Sequence, residues 1–134
     1  MLRQNSSSTI KAELKHTGIY VANIDRSIDF YERALSMHIT RRLETKGRDV
    51  AFLGDLNNTF ELELIYNPSK NGKYNLGDNT FHCGFRIENY DEAHELHEKM
   101  GCISRDKNIS QYYWIKDPDG YEIEIIRASE YMIQ

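Results

Sequence analysis

Residue types that bind metal ions recur at matching places in the two halves of this 134-residue chain. Each half begins with a histidine, His16 or His82. Each half ends with a Glu-x-Glu pair, at residues 61–63 or 122–124. Imidazole nitrogens combined with carboxylate oxygens suit a divalent transition metal such as zinc, nickel, cobalt, iron or manganese. A chance arrangement is not expected to place both residue types at equivalent points of the two halves. The repeated pattern therefore predicts a metal site.

The similarity between the halves extends beyond these residues. Residues 16–25 read HTGIYVANID and residues 82–91 read HCGFRIENYD, so that His, Gly, Asn and Asp recur at equal offsets. Residues 60–66, FELELIY, are echoed by residues 121–127, YEIEIIR. Two matching pairs in the same order indicate an internal repeat of one structural module.

The first module is predicted to fold as a strand, a helix and three further strands. Residues 16–21 are β-prone, and Asp25 is the expected N-cap of the helix. Helical spacing gives this helix one apolar stripe, made by Ile28, Tyr31 and Leu35. Three β-prone segments separated by turn signals follow it, at about residues 39–44, 50–53 and 60–66.

The second module repeats this order. Its helix is predicted to have Asp91 as N-cap, to stop at Gly101, and to leave His94 and His97 on its exposed side. The apolar residues expected beneath this helix are Ala93, Leu96 and Met100. Its β-prone segments lie at 82–87, near 103, at 111–116 and at 121–127, with an Asp-Pro-Asp-Gly turn at 117–120.

These patterns predict an α+β protein made of two βαβββ modules, at about 14–66 and 81–127. Residues 67–80, rich in Gly, Asn and Lys, are predicted to be a linker, and residues 1–13 an N-terminal arm. Neither module is large enough to be stable alone, so residues 14–134 are predicted to form a single domain.

Strand alternation predicts which sheet face carries the metal-binding side chains. Successive side chains point to opposite faces, so the apolar residues of the first strand pack under the helix and His16 points away from it. We call this the ligand face; in the second module it carries His82. Gly18 and Gly84 share the ligand face and leave space there. If two modules pair symmetrically, two histidines and two glutamates converge on one point.

Composition excludes several classes of function. The formal net charge is −4 and no dense basic run occurs, so nucleic-acid binding is not expected. The apolar runs are too short to cross a membrane, and no signal-peptide apolar region is found near the start. The two cysteines, Cys83 and Cys102, have no metal or redox spacing, which predicts a cytoplasmic protein without disulfides.

Five stretches of the chain resemble the vicinal-oxygen-chelate superfamily of glyoxalases, bleomycin-resistance proteins and dioxygenases, and within it bacterial glyoxalase I. They are HT (16–17), DRSIDFY (25–31), ELIYN (63–67), KYNLG (73–77) and DPDGYEIE (117–124). The resemblance implies that one divalent metal ion, nickel or cobalt in preference to zinc, is bound by the second glutamate of each Glu-x-Glu pair and the two histidines. These four implied ligands are His16, Glu63, His82 and Glu124.

The resemblance also implies an activity. Such enzymes isomerise the hemithioacetal of methylglyoxal and glutathione, or another small thiol, to a lactoyl thioester, with Glu124 or Glu63 acting as the base. Asn67 matches a position that contacts glutathione, and Tyr20 stands where glutathione-using members commonly have an arginine; both are implied to contact substrate. For a compact member the resemblance implies a homodimer whose composite sites take His and Glu from both chains.

Several alternatives remain open from the sequence. The chain could be another metal-dependent member of the superfamily, an epimerase or a thiol transferase. It could instead be a non-catalytic protein that binds a small molecule and confers resistance. The four ligands could also meet within a monomer whose modules fold onto each other, which a linker of this length permits.

Overall fold

The structure, a computed structural model, describes residues 8–70, 72–106 and 111–131. The first half contains β1 (His16–Tyr20), α1 (Ile24–Leu35), β2 (His38–Glu44), β3 (Asp49–Gly54) and β4 (Glu61–Tyr66). The second half contains β5 (His82–Ile87), α2 (Tyr90–Met100), β6 (Ile103–Arg105), β7 (Tyr112–Lys116) and β8 (Glu122–Arg127). A four-residue helix, α3 (Ala128–Tyr131), follows β8 and was not predicted.

Each half forms its own four-stranded sheet with the same topology. The strand orders are β1-β4-β3-β2 and β5-β8-β7-β6, and in both sheets the first pair is parallel and the others are antiparallel. The predicted α+β class with two βαβββ modules is therefore confirmed. Of the predicted arm, residues 1–7 lie outside the described residues, and residues 8–13 contain no helix or strand. In the described ranges, no helix has the length and apolarity needed to cross a bilayer.

The helix starts differ from the predicted ones. Asn23, not Asp25, is the N-cap of α1, and its side chain accepts a 3.0 Å hydrogen bond from the backbone N–H of Arg26. Asn caps a helix as well as Asp does and comes first along the chain, which leaves Asp25 in the first turn. The predicted cap Asp91 is also wrong, since α2 follows Asn89. The predicted stop at Gly101 is confirmed, with φ of 69° in the left-handed region.

The helix-facing sides of the two sheets share one apolar core. Its buried strand residues come from both modules and are Ile19, Ala51, Leu53, Leu62, Leu64, Tyr113, Ile115, Ile123 and Ile125, with Val21 directly after β1. Helix α1 packs against α2 as well as against its own sheet. The two modules of one chain therefore do fold onto each other, through the faces opposite to the ligand faces.

The Asp-Pro-Asp-Gly turn holds the two modules together. Asp117 accepts a buried 2.7 Å hydrogen bond from the hydroxyl of Tyr31 in α1. Asp119 accepts bonds from the backbone N–H of Ala22 at 2.9 Å and from the hydroxyl of Ser27 at 3.2 Å. Burial raises the pKa of Asp117, and hydrogen bonds to its carboxylate offset this cost. Both carboxylates of the turn thus bind groups of the first module.

His97 contradicts the prediction that it lies on the exposed side of α2. Its side chain is fully buried, whereas Leu96, predicted to be buried, is 40% exposed. Nε2 lies 2.7 Å from the backbone carbonyl of Ala34, and Nδ1 lies 2.8 Å from the hydroxyl of Tyr113. Because a carbonyl only accepts, Nε2 carries the proton and Nδ1 accepts from the tyrosine. A neutral imidazole thus satisfies both bonds and joins α2 to the end of α1.

Acidification is predicted to weaken the fold through His97. Burial lowers the pKa of His97 below its ordinary value of 6.5. Below that value the unfolded chain therefore binds more protons at this position than the folded chain does. The free energy of unfolding should fall as the pH drops through about 6.5, until the folded-state pKa is reached. In His97→Gln, which cannot take up this proton, that part of the pH dependence should disappear.

Urea unfolding followed by circular dichroism between about pH 7.5 and 5.5 measures this effect. His38→Gln is the matched control because His38 is exposed, and this variant should keep the wild-type pH dependence. An unchanged pH dependence in His97→Gln would contradict the assignment.

Candidate metal centre

The first His–Glu pair lies on the ligand face of β1 and β4. The parallel register aligns Gly18 with Glu63, which places His16 on the same face two residues earlier. Nε2 of His16 is 3.5 Å from Oε1 of Glu63. The histidine side chain is 44% exposed and the glutamate side chain 21%, so the pair is accessible from outside the chain.

The second pair repeats this geometry on β5 and β8. Gly84 aligns with Glu124, and Nε2 of His82 is 3.9 Å from Oε1 of Glu124. The His82 side chain is again 44% exposed, and that of Glu124 is 26% exposed. The internal repeat seen in the sequence therefore places one histidine and one glutamate side by side in each module.

The first glutamate of each Glu-x-Glu pair has a different neighbour. Glu61 accepts a hydrogen bond from the hydroxyl of Thr40, and Arg41 lies 3.3 Å from its carboxylate. The hydrogen bond from Thr40 is the main cause that holds the pKa of Glu61 below its ordinary value, and Arg41 acts in the same direction. In the second module Glu122 pairs with Arg105, also at 3.3 Å. These two glutamates bind arginines, which leaves the second glutamate of each pair beside the histidine.

An aromatic ring supports each histidine, a feature that the sequence analysis missed. The ring of His16 meets that of Phe52 edge to face, with centroids 5.4 Å apart. The ring of His82 meets Trp114 in the same manner at 4.9 Å. The guanidinium groups that bind the first glutamates lie over these rings, Arg41 at 3.9 Å from the Phe52 centroid and Arg105 at 4.3 Å from that of Trp114. No period within one strand reveals these contacts, because they depend on the register between strands.

The two pairs do not meet within one chain. Among the residues that the structure describes, no three His, Cys, Asp or Glu side chains are grouped so that they could hold a metal ion. This follows from the shared core, because the ligand faces lie on the opposite sides of the two sheets. Folding of one module onto the other therefore does not assemble the four predicted ligands.

Each pair has the chemistry and spacing of half a metal site. Two donors that each lie about 2.0–2.2 Å from one ion are about 3.0–3.5 Å apart, close to the 3.5 and 3.9 Å observed. A Cβ atom at Gly18 would lie 2.9 Å from Oε1 of Glu63. The absence of a side chain there provides the space that the carboxylate occupies. Two nitrogens and two carboxylates, one pair from each module, fit a divalent transition metal.

The two predicted substrate-contacting residues lie at the carboxyl end of these strands. Tyr20, 42% exposed, lies on the ligand face and contacts the ring of Tyr74 from the linker, with centroids 5.7 Å apart. Asn67 directly follows β4, and its Oδ1 accepts a 2.9 Å hydrogen bond from the backbone N–H of Ser69. This bond gives Asn67 a turn-forming role in addition to the role predicted for it.

Comparison with known proteins places the chain in a family. Residues 13–125 match the sequence model of the Glyoxalase/Bleomycin resistance protein/Dioxygenase superfamily. A lactoylglutathione lyase of Escherichia coli O157:H7 is 33% identical over 127 residues, which cover 87% of this chain and 93% of the relative. A lactoylglutathione lyase of Neisseria meningitidis serogroup A is 31% identical over 124 residues, covering 85% and 89%.

Solved structures agree with these sequence matches. The trypanothione-dependent glyoxalase I of Leishmania major superposes with a TM-score of 0.81 at 28% identity, over 91% of both chains. An E144Q mutant of glyoxalase I from Zea mays gives a TM-score of 0.75 at 27% identity, over 85% of this chain and 44% of that one. With its two βαβββ modules and a family match across most of its length, the chain belongs to the Glyoxalase/Bleomycin resistance protein/Dioxygenase superfamily.

Proposed function

We propose that the protein is a metal-dependent lyase of the glyoxalase I type. It would convert the hemithioacetal of methylglyoxal and a small thiol, glutathione or a relative of it, into the lactoyl thioester. The observation that carries this proposal is the duplicated His–Glu pair, held at 3.5 and 3.9 Å on equivalent strands. The curated relatives named lactoylglutathione lyase support the choice of reaction.

The metal would be held by His16, Glu63, His82 and Glu124. When bound, a divalent ion supplies Lewis acidity that stabilises the negative charge developing on the two substrate oxygens. Nickel or cobalt is proposed in preference to zinc. The neutral imidazoles contribute no charge, so that the two carboxylates balance the charge of the ion.

A glutamate of the site would move the proton. In the isomerisation one proton leaves the carbon that carries the thiol sulfur and one proton is added to the adjacent carbonyl carbon, while the hydroxyl proton passes from one substrate oxygen to the other. Glu124 or Glu63 would take up the first proton and deliver it to the second carbon, since each carboxylate lies at the centre of its half-site. The positions of Glu61 and Glu122 beside arginines make them unsuitable for this role.

Apolar side chains beside the half-sites would limit access of water to the reacting carbons. In the first module Val50, Phe52 and Ile65 form a small buried cluster on the ligand face, separate from the main core. In the second module Ile126 lies 3.4 Å from where a Cβ atom of Gly84 would be. Exclusion of water protects a reactive intermediate from side reactions.

The site would be completed by a second copy of the chain. His16 and Glu63 of one subunit would face His82 and Glu124 of the other, giving two sites related by a two-fold axis. Both histidines lie on edge strands, β1 and β5, each with one neighbour within its sheet. A groove of about 1020 Å³ with apolar walls runs along β5, and an open strand edge beside an apolar surface favours association. The groove is lined in part by Phe60, Phe81 and Phe85.

The cytoplasmic location predicted from the cysteines stays a prediction.

Cys83 and Cys102 are both free thiols in the structure. Burial raises the pKa of each thiol, so neither has the thiolate character of a nucleophile. The proposed thiol therefore comes from the co-substrate and not from the protein.

Replacement of Glu124 by Gln tests the proposed base and ligand. We expect Glu124→Gln to lose at least about a hundredfold in kcat/KM for the hemithioacetal, with weaker nickel binding by calorimetry. Glu122→Gln changes the same residue type two positions away on the same strand face, and this variant should retain the metal and measurable turnover. Near-wild-type turnover by Glu124→Gln would eliminate Glu124 as the base, and unchanged nickel affinity would contradict the proposed role of its carboxylate as a ligand.

Alanine at the two glycines should affect metal binding unequally. In Gly18→Ala the new methyl group would lie 2.9 Å from Oε1 of Glu63 and would displace this carboxylate. In Gly84→Ala the corresponding contact with Glu124 is an ordinary 3.8 Å. We expect nickel affinity to fall at least about tenfold more in Gly18→Ala, with little loss of stability because the displaced atom ends a flexible side chain. Equal metal affinities in calorimetry would contradict the proposed role of Glu63.

Mixing two inactive chains tests the composite site. In a mixed dimer of His16→Ala and Glu124→Ala chains, both changes fall in one site and the other site is intact. Random exchange of equal amounts should therefore restore about a quarter of the wild-type activity. If native mass spectrometry shows mixed dimers and no activity returns, the sites are not shared in this way.

A further inference from the structure

The ligand faces of the two modules match at most positions but differ at the carboxyl ends of β1 and β5. Equivalent side chains are His16 and His82, Gly18 and Gly84, Glu61 and Glu122, Glu63 and Glu124, Ile65 and Ile126, Phe52 and Trp114, and Arg41 and Arg105. Four residues after the histidine, however, the first module has Tyr20 and the second has Arg86. The proposed site is therefore nearly symmetric around the metal ligands and asymmetric towards one end.

The first module is closed along this direction. The ring of Tyr20 packs against Tyr74, and the backbone carbonyl of Tyr20 accepts a 2.8 Å hydrogen bond from the hydroxyl of Tyr121. Between the histidine and Tyr20, the surface over Gly18 is occupied by the carboxylate of Glu63, 2.9 Å from where a Cβ atom would be. An extended ligand has little room along β1.

The second module is less crowded along the same direction. If Gly84 had a Cβ atom, the nearest side-chain atoms would belong to Ile126, at 3.4 Å, and to Glu124, at 3.8 Å. Strand alternation puts Arg86 on the same face as His82, about 13 Å further along β5. The Arg86 side chain is 40% exposed, and its contact with Glu88 is 3.9 Å long between two exposed groups, a kind of ion pair that contributes little.

The neighbouring cations of this face are engaged elsewhere. Arg105 lies 3.3 Å and Lys116 lies 3.8 Å from the carboxylate of Glu122. In the first module Lys70 lies over the ring of Tyr74, 5.3 Å from its centroid. Of these four described cations, Arg86 is the one that combines exposure, a place on the ligand face and a less crowded path to a His–Glu pair.

We propose that Arg86 binds a carboxylate of the thiol co-substrate, which lies along β5 over Gly84 with its sulfur end at the metal ligands. This inference rests on the proposed function. A guanidinium donates two parallel hydrogen bonds to a carboxylate, and glutathione is a thiol that carries carboxylates several bonds from its sulfur. The thiol-binding half of the site would accordingly belong to the second module, and the tyrosines of the first module would close the opposite side.

The test compares charged and neutral thiols in the nickel-loaded protein. In Arg86→Gln, KM for the glutathione hemithioacetal should rise about ten- to a hundredfold with kcat nearly unchanged. The hemithioacetal of glutathione diethyl ester should show no such rise, and Arg86→Lys should recover part of the loss. Arg33→Gln, a surface change in α1, is the neutral control, and Lys70→Gln tests the competing cation.

Calorimetry separates this inference from the proposed reaction. S-benzylglutathione should bind the wild-type protein at least about tenfold more tightly than it binds Arg86→Gln, and its diethyl ester should bind both equally. If no hemithioacetal is turned over but this difference persists, the proposed reaction fails and the assignment of Arg86 stands. The assignment of Arg86 would be overturned if S-benzylglutathione bound the wild-type protein and Arg86→Gln equally, or if it did not bind the wild-type protein. A loss of affinity confined to Lys70→Gln would also overturn the assignment.

Discussion

The whole arrangement depends on one constraint, that both sheets bury their helix-side faces in a single core. Each strand has only two faces, so a histidine that alternates with a core residue such as Ile19 must point out of the core. The carboxylates of Asp117 and Asp119 fix the modules in this orientation through hydrogen bonds to the first module. The shared core therefore stabilises the chain and, at the same time, keeps the two His–Glu pairs apart. The proposed metal centre would accordingly need a second ligand face from outside the chain.

Much of the half-sites could be predicted from the sequence because they depend on short-range geometry. Alternation along one strand places His16 and Gly18 on one face, and it separates Glu61 and Glu63 from the apolar residues between them. The internal repeat then predicts the same for the second module. Alternation does not supply the parallel register of β1 with β4, which sets His16 opposite Glu61 and Gly18 opposite Glu63. It also does not supply the side-chain contacts that distinguish the two glutamates, Glu61 with Arg41 and Glu63 with His16. From alternation alone either glutamate could be the candidate ligand, and the choice between them comes from the resemblance.

The features that were missed or mispredicted depend on contacts between elements. The sequence pattern places His97 on the exposed side of α2, but two hydrogen bonds from opposite directions satisfy a neutral imidazole in the core. Leu96 was predicted to be buried because a helical stripe indicates a buried face, yet it borders the groove along β5. The support of His82 by Trp114 joins two strands that are not adjacent in the sheet. Each of these contacts joins residues from different elements, which local patterns do not describe.

The arginines beside the first glutamates explain how four carboxylates, two on each ligand face, could serve one proposed metal ion. Two glutamates on one face, such as Glu122 and Glu124, would both attract a divalent cation and would repel each other. Arg105 removes this competition because it pairs with Glu122 and packs its guanidinium over Trp114, the ring that contacts His82. The same side chain therefore neutralises the unwanted carboxylate and supports the ring that orients the histidine. In the first module Arg41 likewise pairs with Glu61 and lies over Phe52, the ring that contacts His16. Each copy of the repeated module therefore leaves one glutamate available beside its histidine.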